Sequence, residues 1–181
     1  MSRIPYPDPE TLSAEKREVL SGASGRVLNV SRMAMHTPDA LWAPQRALGL
    51  ATVYEATLDP RLRELLILRV AYLSDSAYEL FHHLTIAENL GVTPEQRDAM
   101  RTGDFSGPTA QERALADFVT EIVRDVSPSD ATLQAARDAF GLSLVFEMII
   151  LVGGYMMTAR VAAVSGADLD DVPVAGWKRQ L

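Results

Sequence analysis

The sequence predicts an all-α, single-domain helical bundle, and three observations carry that prediction. Four helix starts are written as a capping residue followed by proline: Thr37-Pro38, Asp59-Pro60, Thr93-Pro94 and Ser127-Pro128. Proline at the first helical position loses no hydrogen bond, because that N–H has no intrahelical partner, and the preceding side-chain oxygen can cap the next turn. Thr93 with Gln96 and Thr109 with Glu112 have capping-box spacing. Short alternating strands joined by Asn-Gly turns are missing from the sequence.

In chain order, helices are expected over 13–21, 38–57, 60–73, 76–90, 94–101, 109–126, 128–140 and 143–165. An N-terminal extension (1–36) precedes a core (37–165), and an irregular tail (166–181) follows Gly166. The TGDFSGP stretch at 102–108 is rich in Gly, Ser and Pro and reads as a loop between two halves. Those halves echo one another, since ELLILRVAY at 64–72 lies on EMIILVGGY at 147–155. The echo suggests an internal helical-hairpin repeat, with Gly153 and Gly154 permitting close helix approach. Only the first copy is followed by histidine, which assigns the chemistry to it.

Composition narrows the function. The chain has 181 residues, 48% of them hydrophobic and 23% charged, within the range of a soluble globular protein that buries one core. A net charge of −7 and the lack of any basic run argue against nucleic acid and anionic membrane as partners. The segment MSRIPYPDPETLS, with three prolines and no apolar centre, does not read as a targeting signal. The apolar stretch Leu142–Leu151 is interrupted by Ser143 and Glu147 and reads as too short for a bilayer, so a cytoplasmic protein is expected. Cysteine is absent, which removes thiol nucleophiles, thiolate zinc sites and dithiol redox chemistry.

The strongest chemical signal is SAYELFHHL, residues 76–84. At helical spacing, Ser76, Glu79 and His83 share a face with Leu80, Ala87 and Leu90, while Tyr78, His82, Thr85 and Asn89 face the other way. Glu79 and His83 stand at i and i+4, close enough to hydrogen-bond along the helix. Such a pair has a packing role as its ordinary reading. An apolar setting adds a second reading, because desolvation raises a carboxylate pKa and suits it to proton transfer. Glu64, on the apolar face of the preceding helix, is brought near by the short Leu73-Ser74-Asp75 link. His82 stands a third of a turn from His83 and does not easily join it on one ion, and no phosphate loop or dinucleotide fingerprint occurs, so neither metal nor cofactor is expected. Ser76 lacks a nucleophile-elbow context, and Met148, Met156 and Met157 are assigned to core or subunit contacts.

Residues 63–96, RELLILRVAYLSDSAYELFHHLTIAENLGVTPEQ, resemble the core of the carboxymuconolactone decarboxylase family within the alkyl hydroperoxidase D-like superfamily. The flanks NVSRMAMHTPDAL and RDVSPSD-to-GGYMMTARV are similar to members of it as well. In the hydroperoxidase branch the second helix carries Cys-x-x-Cys-x-x-x-His after an upstream Glu. Here that frame reads Ser76-x-x-Glu79-x-x-x-His83, with Glu64 upstream and Tyr78 where that branch often has a further His. The resemblance therefore implies a site of Glu64, Ser76, Tyr78, Glu79 and His83 without the redox cysteines.

The decarboxylase branch implies cofactor-free acid–base chemistry on a small lactone or carboxylic acid, in which His83 donates, Glu79 orients it and Glu64 exchanges protons. It further implies a homo-oligomer (dimer, trimer or hexamer), for which the Tyr78/His82/Thr85/Asn89 stripe is the expected contact. Arg side chains at the cavity entrance would be needed to receive a carboxylate in so acidic a protein. Two rivals remain: a non-catalytic small-molecule binding oligomer, and a peroxidase-like protein needing a redox group that the sequence does not advertise.

Overall fold

Helix α4 (Pro60–Leu73) is the axis of the fold: Glu64 through Ala71 are all buried, so neighbours surround it on every side. Asp59 accepts hydrogen bonds from the Arg61 and Leu62 N–H groups and Pro60 opens the first turn, which explains why the expected bounds match. A computed structural model describes residues 2–22 and 26–176. Around α4 stand α5 (Ala77–Asn89), α6 (Pro94–Thr102), α7 (Ala110–Asp125) and α8 (Asp130–Ser165). Leu66, Leu68, Met100, Leu115, Phe118 and Met148 fill the space between them. Outside this core lie α1 (Ala14–Leu20), α2 (Asn29–Ala34) and α3 (Asp39–Tyr54), with α2 and α3 laid against α8. No strand occurs among the described residues.

Both capping boxes form, at Thr93/Gln96 and Thr109/Glu112. The other two proline starts do not act as expected. Thr37 makes no cap, and α3 begins after Pro38 with no side-chain bond at its N-terminus. Ser129 rather than Ser127 caps α8, by accepting from the Thr132 N–H. Helix α2 lies outside the expected elements; six residues without a side-chain cap give no periodic signal, and burial of Val30 and Met33 holds them.

The helices expected over 128–140 and 143–165 form on either side of Gly141, whose φ of 74° and ψ of 166° kink the 36-residue α8 into two helical parts. Glycine adopts that value without a Cβ clash, so the chain changes direction and continues. This corrects the expectation of a short apolar stretch. Among the described residues α8 is the one helix long and apolar enough to cross a membrane by length and composition, and only 22% of its most apolar window is buried within this chain. Leu142, Phe146, Ile149 and Ile150 are exposed along it.

The internal echo is realised as two helices packed together, α4 and the second part of α8, but their acids differ. Glu147 is turned outward and accepts from the Thr57 and Leu58 N–H groups at 2.9 and 2.8 Å, tying down the approach to α4. Glu64 points into the core. Gly153 and Gly154 do not mediate close helix contact within this chain, since a Cβ at either would meet nothing within 4 Å. The tail from Ala167 to Gly176 is irregular as expected. The tail's last residues, 177–181, lie outside the described residues.

Candidate active site

Helices α4 and α5 fold back on each other across Ser74–Ser76, and this places Glu64 behind His83. The imidazole Nδ1 lies 2.7 Å from Glu64 Oε2, and Glu64 is 0% exposed. With Glu64 ionised, Nδ1–H donates to it, and Nε2 has no hydrogen-bond partner among the described residues. The expected Glu79–His83 bond along α5 does not form. Both Glu79 oxygens are buried without a hydrogen-bond partner. An i, i+4 spacing supplies proximity, but the carboxylate arriving from α4 has the better approach to the ring.

Glu79 is 2% exposed, and burial pushes its carboxyl up to about 8. The Ser76 hydroxyl opposes that shift only weakly; its Oγ accepts from the Glu79 backbone N–H at 3.5 Å and so caps α5. At neutral pH Glu79 is therefore mostly a carboxylic acid, able to donate.

Glu79 and His83 open onto a cavity of about 340 Å³. Val19 and residues between 26 and 54, including Leu28, Met35, Trp42 and Val53, also line it, together with Tyr155 and Met157 of α8. The volume lies at the small end of the range for small-molecule sites. Tyr155 stands edge-on to His83, with ring centroids 5.1 Å apart. Burial and the nearby Glu64 carboxylate raise its pKa, so its hydroxyl remains protonated. Tyr155, at the end of EMIILVGGY in the second copy of the echo, is thus brought beside His83 on the cavity wall.

Of the residues the sequence singled out, Glu79, His83 and Tyr78 reach the cavity wall, Glu64 stands behind His83, and Ser76 sits at the head of α5 away from the wall. Tyr78 and His82 do not form a free stripe. The Tyr78 hydroxyl donates to Asp170 and accepts from the Val30 N–H at 3.1 Å. His82 Nε2 meets Asp170 Oδ2 at 3.1 Å, while its Nδ1 accepts from the Val174 N–H at 3.1 Å. Asn89 donates to the Ala175 carbonyl at 2.7 Å. The chain's own tail thus covers the face expected to meet another subunit. Burial, first of all, raises the Tyr78 pKa and lowers that of His82. His36 is a loop residue, its Nε2 2.9 Å from the Pro5 carbonyl.

The sequence model of the carboxymuconolactone decarboxylase family matches residues 38–121, which span α3 to most of α7. Solved structures share the fold. An uncharacterized peroxidase-related protein of Ralstonia eutropha JMP134, described as an alkylhydroperoxidase AhpD core, is 20% identical with a TM-score of 0.74, over 94% of this chain and 93% of that one. An uncharacterized peroxidase-related protein of Silicibacter sp. TM1040 is 19% identical at a TM-score of 0.74, over 93% and 91%. A protein of unknown function from Agrobacterium tumefaciens, described as a putative antioxidant defence protein AhpD, is 19% identical at 0.68, over 76% and 94%. No curated protein matches the chain. The Cys-free reading of the frame at Ser76, Glu79 and His83 agrees with a sequence that holds no cysteine. Residues 38–121 are thus similar to the carboxymuconolactone decarboxylase family, in a chain that holds no cysteine and has the alkyl hydroperoxidase D-like fold.

Proposed function

We propose that the cavity is a cofactor-free acid–base site acting on a small lactone or carboxylic acid, by decarboxylation or isomerisation through an enol. One observation carries this reading: the buried Glu79 carboxyl has no hydrogen-bond partner and stands on the cavity wall beside an imidazole already held by Glu64. A buried carboxyl without partners costs stability, and a role in proton transfer accounts for its presence there.

In isomerisation, His83 Nε2 removes the proton α to the substrate carbonyl, and Glu64 steadies the imidazolium. Glu79 gives its proton to the carbonyl oxygen, so the C–H electron pair becomes the enol double bond without a free enolate; the imidazolium then delivers its proton to another carbon of the conjugated enol as Glu79 takes back the enol proton, which gives the isomer and restores both groups. In decarboxylation, the pair from the broken carbon–carbon bond forms the enolate as carbon dioxide leaves, and Glu79 protonates it. The Glu79 carboxylate then regains a proton from solvent. These roles reverse the sequence-based assignment, in which His83 donates and Glu79 orients it. A cysteine-dependent peroxidase step has no thiol to use, so the names of the structural relatives do not carry across in that respect.

The test is carbon dioxide release and solvent-deuterium exchange from a panel of β-keto acids and lactone acids, with Glu79→Gln and His83→Gln alongside. Release or exchange that falls about a hundredfold or more in both variants supports the reading. Tight binding of panel members with neither release nor exchange would identify a binding protein instead.

A further inference from the structure

The cavity carries one guanidinium that nothing among the described residues neutralises. Arg26 and Arg46 both reach its wall. Arg26 is engaged by the tail, donating to the Val172 carbonyl at 2.7 Å and lying 3.5 Å from Asp170. Arg46, half-buried on α3, rests 6.0 Å from the centroid of the Trp42 ring, and no carboxylate pairs with it among the described residues. The chain as a whole carries −7, with 24 acidic side chains to 17 basic ones, so a cation left unpaired on an apolar wall departs from the general balance. Trp42 lies one turn before Arg46, and stacking on an indole keeps a guanidinium in place while leaving its N–H fork open.

Everything else on that wall is poor in charge. Leu28, Met35 and Val53 offer apolar surface, and Tyr78 and His82 are bound to Asp170. A ligand held here meets one positive fork at the α3 side and hydrogen-bonding groups at the α5 side, with oil between them.

We propose that Arg46 is the anion anchor of the cavity and selects a monocarboxylate with an apolar body, its far end turned toward Glu79 and His83. The inference rests on reading the cavity as the substrate site. A second carboxylate would have to be desolvated among apolar side chains, an environment unfavourable to negative charge, so dianions are disfavoured.

Calorimetric titration of the full chain with octanoate, octanamide and octanedioate, at low and high salt, tests this without any turnover. Native protein is expected to prefer octanoate to both others by about tenfold or more, with the preference shrinking at high salt. Arg46→Gln should abolish the preference for octanoate over octanamide while leaving octanamide binding unchanged, and Arg46→Lys should keep part of it. Glu79→Gln should retain it. No octanoate binding by the native protein, equal binding of acid and amide, or a preference that survives Arg46→Gln overturns the proposal. A preference that depends on Arg46 in a protein without acid–base activity would keep this inference and remove the catalytic one; activity indifferent to Arg46 would do the opposite.

Discussion

His83 is held by Glu64 from the neighbouring helix, at 2.7 Å, and not by Glu79 one turn earlier on its own helix. The consequence is a division of labour between two carboxyls. One orients the imidazole and the other stays unpartnered at the cavity.

Glu64→Gln is expected to preserve the fold, since the amide oxygen can still accept from His83, yet to lower turnover by about a hundredfold through loss of the charge that steadies the imidazolium. The expected signature is a His83 Nδ1–H proton resonance, followed by NMR, that moves in Glu64→Gln. An unmoved resonance with unchanged turnover would remove Glu64 from the site.

Glu79 makes stability depend on pH in a defined direction. Its folded pKa of about 8 lies above the ordinary 4.5, so the protonated form is favoured in the folded state. The stabilisation is complete below pH 4.5, declines as pH rises and is gone above pH 8. Relative to native protein, Glu79→Gln should gain up to about 5 kcal/mol between about pH 4 and pH 9, because a raised pKa costs the ionised form about 1.4 kcal/mol for every pH unit by which it exceeds the unfolded value. Urea unfolding across that range measures it, and a constant difference between the two proteins would contradict it.

The tail strap has the opposite sensitivity. His82 has its pKa depressed below 6.5, chiefly by burial, and its charged form must give up the Val174 N–H bond. Asp170 favours the charged form, while His83 and Arg26 oppose it. The strap's contribution is therefore present above pH 6.5 and lost as pH falls below it. Hydrogen-exchange protection at Val174 should drop over that interval. Asp170→Asn should weaken the strap throughout and cost about 1–3 kcal/mol.

We propose that a second copy of the chain covers the exposed apolar side of α8. Leu142, Phe146 and Ile149 line a groove with α7, an arrangement uncommon on a solitary soluble domain. Light scattering should report a multimer for the native chain, and Phe146→Asp should reduce it to monomers without loss of helicity. A native monomer would refute the assignment.

Much of the fold was legible because its signals are local. Asp59-Pro60 and Thr93-Pro94 mark the heads of α4 and α6, and the boxes at Thr93/Gln96 and Thr109/Glu112 close as their spacing implies. Local signals also misled. Ser127-Pro128 carries the same pattern as Asp59-Pro60, yet Ser129 takes the cap. The burial of the candidate residues was legible, but their pairing was not. Glu79 and His83 stand out in the sequence as ionisable groups on an oily face, and both are buried there.

The sequence by itself determined the helical class, the absence of thiol chemistry and the segment that holds the acid and the imidazole, because capping, composition and periodicity act over a few residues. Only the tertiary structure decided that Glu64 takes His83, that Glu79 is left alone at a cavity, that Tyr155 joins from α8 and that Asp170 in the tail claims Tyr78 and His82. Those pairings join groups up to 92 residues apart, and which donor meets which acceptor is set by how the helices pack, a quantity no local spacing contains.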